Sequence, residues 1–228
     1  MIIIGLDDTD NLESRGTGHL ARQIASELAL DFPLIGVTRH QLLVDQRVPC
    51  TKNNSCAAIT LAGDGEVDLN GLFGRVREIM LAEFQPGSDP GLCIASEVPA
   101  AITDFGFQVK RKLVDQQHAR QLAADNGLLL QGLGGTQDGV IGALAAVGLA
   151  ACGEDGRYIY VGHVRDLSGL QSVQTVIEAG VTIVRTLDGT PVTQGMLLVD
   201  KLRPARRGGQ PVAVVNWDGD HWQPVKLD

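Results

Sequence analysis

Three carboxylates lie close together near the start of this 228-residue chain. Asp7, Asp8 and Asp10 follow the apolar run IIIGL, which is typical of a short, fully buried strand. Like charges at this spacing repel one another, so they require a cation, a proton or hydrogen-bond donors nearby. Mg²⁺ binds one or two carboxylates together with water and substrate phosphates. We therefore predict that Asp7, Asp8 and Asp10 bind Mg²⁺ and that Asp8 and Asp10 are catalytic; the alternative is a polar turn with a capping aspartate.

Side-chain alternation along a strand predicts how these carboxylates are oriented. On an extended backbone Asp8 and Asp10 lie on one face, and Asp7 lies on the other. The carboxyl end of a buried strand in an open α/β sheet is where ligands bind. We therefore expect the three side chains to border a ligand site.

Two glycine-rich segments precede predicted helices and suit phosphate binding. They are GLGGTQDG at 132–139 and SRGTGH at 14–19. Glycine lets the backbone approach a ligand closely, and a helix N-terminus presents unpaired N–H groups to a phosphate. The alternative is a tight turn in each case, with Asp138 as the cap of the helix that follows GLGGTQDG. We predict that the nucleotide is bound by Gly16, Thr17, Gly18, Gly134, Gly135, Thr136 and Gly139.

The segment RVPCTKNNSC at 47–56 carries positive charge and hydrogen-bonding groups. Arg47 and Lys52 supply the charge, while hydroxyl and amide side chains supply the donors and acceptors. Such a set can clamp phosphates or a polar substrate. We predict a catalytic role for Lys52; the alternative is an ordinary polar loop.

Hydrophobic periodicity predicts the elements that position these residues. Short β-branched runs alternate with helical patterns over 17–30, 69–84 and 105–126, and an Ala-rich buried helix follows the second glycine-rich segment. Strands alternating with helices indicate a layered α/β core.

The texture of the chain changes after Gly153. Short apolar runs separated by Gly, Pro and Asp predict mostly strands there, with one short helix near 170–179. We therefore predict an α/β (α+β) fold with an α/β core in residues 1–153 and a mostly β part in residues 154–228.

Composition limits the classes of function. The net charge is −8 and the pI is about 5.1, so no long-range attraction to nucleic acid is expected, and we interpret the basic runs VKRK and LRPARRGG as solvated surface. The apolar start lacks the basic flank of a signal peptide, and no apolar run reaches the roughly 20 residues of a membrane span. We expect a soluble, cytoplasmic protein that does not contact a membrane.

Several motifs, in this order along the chain, resemble those of the archaeal tRNA(Ile)-agmatidine synthetases. They are GLDDTD at 5–10, PCTKNNSCA at 49–57, GVIGALAAVG at 139–148 and GEDGRYIYVGHVR at 153–165. The lysine of the second motif falls one place later than in the family. Within the third motif, the family's glycine-alanine helix start is matched by Gly139, Gly142 and Ala143.

The resemblance implies a kinase-like domain that uses ATP and Mg²⁺, joined to a ferredoxin-like domain. It also implies that Asp7, Asp8 and Asp10 hold the metal and the nucleotide. Members of the family phosphorylate the wobble cytidine of a tRNA, and agmatine then displaces the phosphate. We expect the OB-type domain and the zinc ribbon of full-length members to be lacking here; the four cysteines form no CxxC pair to supply the ribbon.

These features together predict an ATP- and Mg²⁺-dependent phosphotransferase or substrate-activating enzyme. Its partners would be a nucleotide and an acceptor, either a small molecule or tRNA. One alternative is a non-catalytic nucleotide-binding or RNA-associated accessory protein. A weaker alternative is a haloacid-dehalogenase-type phosphatase: DTD at 8–10 and GDGEVD at 63–68 match its motifs, but too few residues separate them for the βα units of that fold.

Overall fold

The computed structural model describes residues 1–51, 53–63, 67–200 and 202–227. Within these ranges the chain forms one mixed β-sheet with helices against its faces, which confirms the predicted α/β (α+β) class. The strands are β1 (Ile2–Asp7), β2 (Leu34–Gln41), β3 (Ser55–Leu61), β4 (Gly91–Ala95), β5 (Leu129–Gly132), β6 (Arg157–Tyr160), β7 (Leu170–Ser172), β8 (Ile183–Thr186), β9 (Met196–Leu198), β10 (Ala205–Arg207), β11 (Gln210–Trp217) and β12 (Trp222–Pro224). The α-helices are α1 (Thr17–Leu28), α2 (Leu69–Glu83), α3 (Ala100–Val109), α4 (Gln116–Asp125), α5 (Gly139–Cys152) and α6 (Val173–Glu178).

The sheet has the strand order β5-β4-β1-β3-β2-β6-β10-β11-β12-β9-β7, and β8 pairs with β11. The acid-bearing strand β1 runs antiparallel to both of its neighbours, β3 and β4. It therefore does not begin a parallel βα unit, which is the arrangement that the phosphatase alternative needs. Part of the second phosphatase motif, residues 64–66, lies outside the described residues.

Strand β1 is buried because its apolar side chains serve two cores. Ile2, Ile4 and Leu6 belong to the core that includes α1 and α2, whereas Ile3 belongs to the core of α3, α4 and α5. Each fully buried aliphatic side chain of this size stabilises the fold by roughly 2 kcal/mol. By the same alternation, Asp7 lies on the α5 side of the sheet.

The long helix predicted over 105–126 is wrong. The structure has two helices instead, with a break at residues 110–115 between α3 and α4. Asp115 ends the break, because its carboxylate accepts a hydrogen bond from the N–H of His118 (2.8 Å) and caps α4. The prediction from periodicity overlooked Asp115 as an N-cap signal within the apolar pattern.

Strand β6 joins the first part of the sheet to the second. It pairs with β2 on one side and with β10 on the other. Gly153 ends α5 in the left-handed conformation (φ +77°), which is the expected place for a glycine. Ile159 of β6 nevertheless packs into the core of α1 and α2, so the division at residue 153 remains a prediction.

The helices of the described ranges are all too short or too polar to cross a bilayer.

Candidate functional site

A cleft of about 250 Å³ opens at the carboxyl end of β1. Its walls come from the turn after β1, the loop between β2 and β3, the α3–α4 connection and the start of α5. The cleft brings the three predicted acid residues together with Thr17 and Gly139. The carboxylates that border it are Asp7, Asp8, Asp10, Asp89 and Asp138.

Asp7 lies at the end of β1 and faces the first turn of α5. A Cβ atom at position 142 would lie 1.8 Å from Asp7 Oδ2, so only glycine leaves room for this carboxylate. Burial, and then the charge of Asp8, raise the pKa of Asp7 to about 8. The family-type glycine Gly142 thus provides space for an acid.

Asp8 departs from the extended backbone that the sequence predicted. Its φ is +50°, in the left-handed region, because β1 ends at Asp7 and the chain turns. Asp8 and Asp10 therefore do not share a strand face. Burial, followed by the charges of Asp89 and Asp10, raises the pKa of Asp8 to about 6.

Asp10 organises the walls of the cleft. One of its oxygens accepts hydrogen bonds from the N–H and the hydroxyl of Thr17 (2.9 Å each), and the other accepts from the hydroxyl of Thr51 (2.9 Å). Gly16, at the N-cap of α1, makes no side-chain cap, so Asp10 supplies one from six residues upstream. Both oxygens of Asp10 are thus occupied by protein donors.

The fit to Mg²⁺ rests on Asp7 and Asp8. Among the described residues, no group of three or more His, Cys, Asp or Glu side chains is arranged to hold a metal ion by itself. Mg²⁺ does not need such a cage, since it usually keeps several waters and binds one or two carboxylates plus phosphates. Asp7 and Asp8 suit that mode because burial and negative neighbours already disfavour their charged forms, and a cation would relieve this.

The N-terminus of α5 offers fewer free donors than the sequence suggested. The N–H of Gly139 donates to the carbonyl of Asp89 (2.9 Å), and the next two N–H groups donate to Gln137 (3.2 Å) and Asp138 (3.0 Å). A Cβ at Gly139 would lie 2.3 Å from the Asp89 carbonyl oxygen, so this glycine allows close packing. Its phosphate contact remains a prediction.

The other predicted nucleotide-binding residues divide into two groups. Gly134, Gly135 and Thr136 lie beside the turn before β4, where the N–H of Thr136 donates to the Asp89 carboxylate, and they do not line the cleft. Gly16, Thr17 and Gly18 instead line an adjoining cavity of about 280 Å³. The two cavities share five polar residues, which are Asp10, Thr17, Thr51, Asn53 and Ser55.

The cationic side of the cleft differs from the prediction. Lys52 lies outside the described residues, although Thr51 and Asn53 on either side of it line the cleft. The guanidinium of Arg47 is paired with the Asp45 carboxylate (2.7 and 2.9 Å). Lys112, which the sequence assigned to solvated surface, also lines the cleft.

Sequence reasoning overlooked Asp89 as a site residue. It precedes Pro90 in the GSDPG turn, a pattern that reads as an ordinary turn. Only the pairing of β4 with β1 brings this turn against Asp8. The cleft as a whole is a desolvated acidic site with hydroxyl groups at its rim, a set suited to a cation and its anionic ligand.

Comparisons with known proteins point to one fold. No protein-family model and no curated protein matches the chain. Among solved structures, the chain matches the TiaS–tRNA(Ile2)–ATP complex with a TM-score of 0.56 at 22% identity, over 64% of this chain and 36% of that one. Over this region the chain has the TiaS fold.

Two further TiaS structures give the same result. Apo TiaS (tRNAIle2 agmatidine synthetase) matches with a TM-score of 0.55 at 21% identity, over 64% of this chain and 35% of that one. The TiaS–tRNA(Ile2)–AMPCPP–agmatine complex matches at 0.55 and 20%, over 64% and 36%. These matches confirm, at the level of the fold, the resemblance seen in the motifs. The chain spans about a third of the length of these structures.

Proposed function

We propose that this protein is an enzyme that uses ATP and Mg²⁺ to activate an acceptor by phosphoryl transfer. The observation that carries the proposal is the pair of desolvated carboxylates, Asp7 and Asp8, in a cleft at the end of β1, with Asp89 near Asp8. The TiaS fold supports it, since TiaS has been solved with ATP and with AMPCPP. The acceptor is a small molecule or a tRNA; both TiaS complexes contain tRNA(Ile2), and the AMPCPP complex also contains agmatine.

The residues of the cleft would divide the work. Asp7 and Asp8 would hold the metal, which neutralises phosphate charge when bound. Asp8, which lines the cleft, is also placed to accept a proton from the attacking group of the acceptor. Asp10 would position α1 and the loop of Thr51 rather than react, and Lys52 keeps its predicted catalytic role.

Calorimetric titration of ATP, with and without MgCl₂, tests the proposal. We expect binding that depends on Mg²⁺ in the wild type and weakens at least about tenfold in Asp8→Asn. The matched control is Asp125→Asn on the exposed end of α4, where the carboxylate accepts a hydrogen bond from Gln121 (2.7 Å). Equal ATP affinity in both variants, or no dependence on Mg²⁺, would contradict the assignment.

A non-catalytic nucleotide-binding or RNA-associated protein is the second candidate. One observation favours it: Asp10, a predicted catalytic residue, is fully engaged by Thr17 and Thr51. Release of ADP in the presence of acceptors separates the two candidates. ATP binding without ADP release from any small-molecule or tRNA acceptor would support the accessory protein.

A further inference from the structure

Four arginines lie near one another, although the chain as a whole is acidic. Arg15 comes from the loop before α1, Arg22 from α1 itself, Arg165 from a 3-10 helix at Val164–Asp166, and Arg203 from the segment before β10. We refer to Arg15, Arg22, Arg165 and Arg203 as the arginine cluster. None of the roles proposed above for the residues of the cleft accounts for the arginine cluster.

Two of the arginines are held where α1 packs against Ile159 of β6. A Cβ at Gly18 would lie 2.9 Å from Ile159 Cδ1, so α1 and β6 are in close contact there. The guanidinium of Arg22 donates to the Gly18 carbonyl (2.9 Å), and that of Arg165 donates to the Ile159 carbonyl (3.2 Å). The side chains of Arg22 and Arg165 are thereby both held beside the contact between Gly18 and Ile159.

Arg203 joins them from the other edge of β6. Its guanidinium donates to the Leu202 carbonyl (2.6 Å), and the next residue, Pro204, accepts a hydrogen bond from the Tyr158 N–H (2.7 Å). This pairing fixes the segment of Arg203 one residue away from β6. His19 lies between Arg15 and Arg22, with a ring nitrogen 3.4 Å from each guanidinium.

In the described part of the chain, Glu83 lies near His19, but the positive charges of Arg22, Arg165 and Arg203 are not paired with a carboxylate. There, no carboxylate forms an ion pair with Arg22, Arg165 or Arg203, and their hydrogen bonds go to neutral carbonyl or imidazole groups. Burial, and then the neighbouring arginines, lower the pKa of both Arg22 and Arg203. By contrast, Arg75 pairs with Asp31. Partly buried like charges held together are unfavourable unless an anion joins them.

We propose that the arginine cluster is a phosphate-binding site that holds a phosphate group of the acceptor substrate. Guanidinium groups fork around phosphate oxygens, which matches this ligand. The cavity lined by Gly16 and Gly18 lies beside the cluster and shares Asp10, Thr17 and Thr51 with the acid cleft. The link between cluster and cavity is Gly18, whose carbonyl Arg22 contacts, so an acceptor anchored by its phosphate at the cluster would pass Gly18 and this cavity to reach Asp8 in the cleft. The term acceptor rests on the proposed function; the phosphate site itself does not.

The test uses two phosphate probes that differ in chemistry. CMP presents a phosphomonoester, whereas a short oligoribonucleotide with hydroxyl ends presents only phosphodiesters. Binding of each is measured by calorimetry at two salt concentrations, in the wild type, in the double variant Arg22→Gln/Arg165→Gln and in Arg120→Gln. Arg120 lies on α4, beside β5 at one edge of the sheet, and Arg120→Gln removes one of the two positive charges that the double variant loses.

At least one probe should bind the wild type and Arg120→Gln alike, and it should bind the double variant at least about tenfold more weakly. Preference for CMP would identify a monoester acceptor, and preference for the oligonucleotide a phosphodiester chain. Thermal unfolding separates binding from structure: the double variant should be as stable as the wild type or more so, because like charges are removed. Failure of both probes to bind the wild type, or equal binding by the double variant, would overturn the proposal.

The outcome is independent of the ATP titration. Loss of probe binding in the double variant, in a protein that does not bind ATP, would support the phosphate site and reject the proposed function. Mg²⁺-dependent ATP binding with no effect of the double variant on either probe would do the reverse.

Discussion

Asp8 combines an uncommon backbone conformation with an unfavourable charge. Its left-handed φ of +50° costs about 1 kcal/mol for a residue with a Cβ atom. Its carboxylate lies in a desolvated position near Asp89 and Asp10. Strain of this kind concentrates at functional sites, and residues that serve function often reduce stability.

Replacement of Asp8 should therefore stabilise the ligand-free protein. Asp8→Asn is expected to raise the free energy of unfolding by about 1 kcal/mol at pH 8, where a group of pKa about 6 is ionised. Asn tolerates the left-handed region as Asp does, so the backbone is preserved. Urea denaturation measures the change.

The control for this experiment is again Asp125→Asn, which should alter the free energy of unfolding by less than about 0.5 kcal/mol. A less stable Asp8→Asn protein would show that the Asp8 carboxylate is favourable in the ligand-free state, contrary to our interpretation.

At the scale of elements, α5 consists of small residues because it lies very close to two strands. A Cβ at Gly5 of β1 would lie 2.1 Å from the Ala143 carbonyl oxygen. A Cβ at Gly91 of β4 would lie 2.1 Å from the Gly139 carbonyl carbon. This close approach places Asp7 directly beneath the first turn of α5.

Two glycine-to-alanine substitutions in helices should have opposite effects. Gly142→Ala in α5 places a methyl group against the Asp7 carboxylate and is expected to lower the free energy of unfolding by about 2 kcal/mol. Gly74→Ala in α2 meets no atom within 4 Å and should raise it by about 0.5–1 kcal/mol, because alanine favours the helix. Urea denaturation of both variants measures this; shifts in the same direction would refute the packing argument.

At the scale of the whole molecule, a buried polar network joins distant segments. The His40 ring of β2 contacts Asp155 Oδ1 through Nδ1 (2.9 Å) and Thr38 Oγ1 through Nε2 (2.8 Å), and Lys110 at the end of α3 pairs with Asp155. Burial lowers the pKa of His40, and Asp155 opposes this only in part. Burial alone would raise the pKa of Asp155, but hydrogen bonds from His40 and Lys110 lower it overall.

This network should make the protein sensitive to acid. A folded-state pKa below the ordinary value means that the stabilisation is present above the ordinary value and is lost as the pH falls, here below 6.5 for His40 and below 3.8 for Asp155. His40→Gln should be less stable than the wild type by about 2 kcal/mol at pH 7.5. The difference should narrow at pH 5, because only the wild type must then keep a histidine unprotonated.

Urea denaturation at the two pH values measures the difference in free energy of unfolding between the wild type and His40→Gln. The exposed His163, whose ring lies 3.4 Å from Asp166, provides the control, and His163→Gln should remain within about 0.5 kcal/mol of the wild type at both pH values. A gap for His40→Gln that does not change with pH would exclude the network as the source of acid sensitivity.

The extent of sequence-based prediction differs between fold and site. The apolar run before Asp7 and the periodic segments predicted β1, α1, α2 and α5 near their observed bounds, because these patterns are local. The break at 110–115 was overlooked because a cap can interrupt a pattern that periodicity treats as continuous. Asp89 was overlooked because its role depends on a strand pairing.

By itself, the sequence determined that acids follow a buried strand, that glycines precede a small-residue helix, and that the motifs resemble one family. The tertiary structure alone decided that the Asp10 carboxylate accepts hydrogen bonds from Thr17 and Thr51 and that the first N–H groups of α5 are already paired. It also decided that arginines from three segments lie together. The physical reason is that apolar periodicity follows from neighbours along the chain. Which donors remain free, and which charges meet, depends on contacts between residues far apart in sequence.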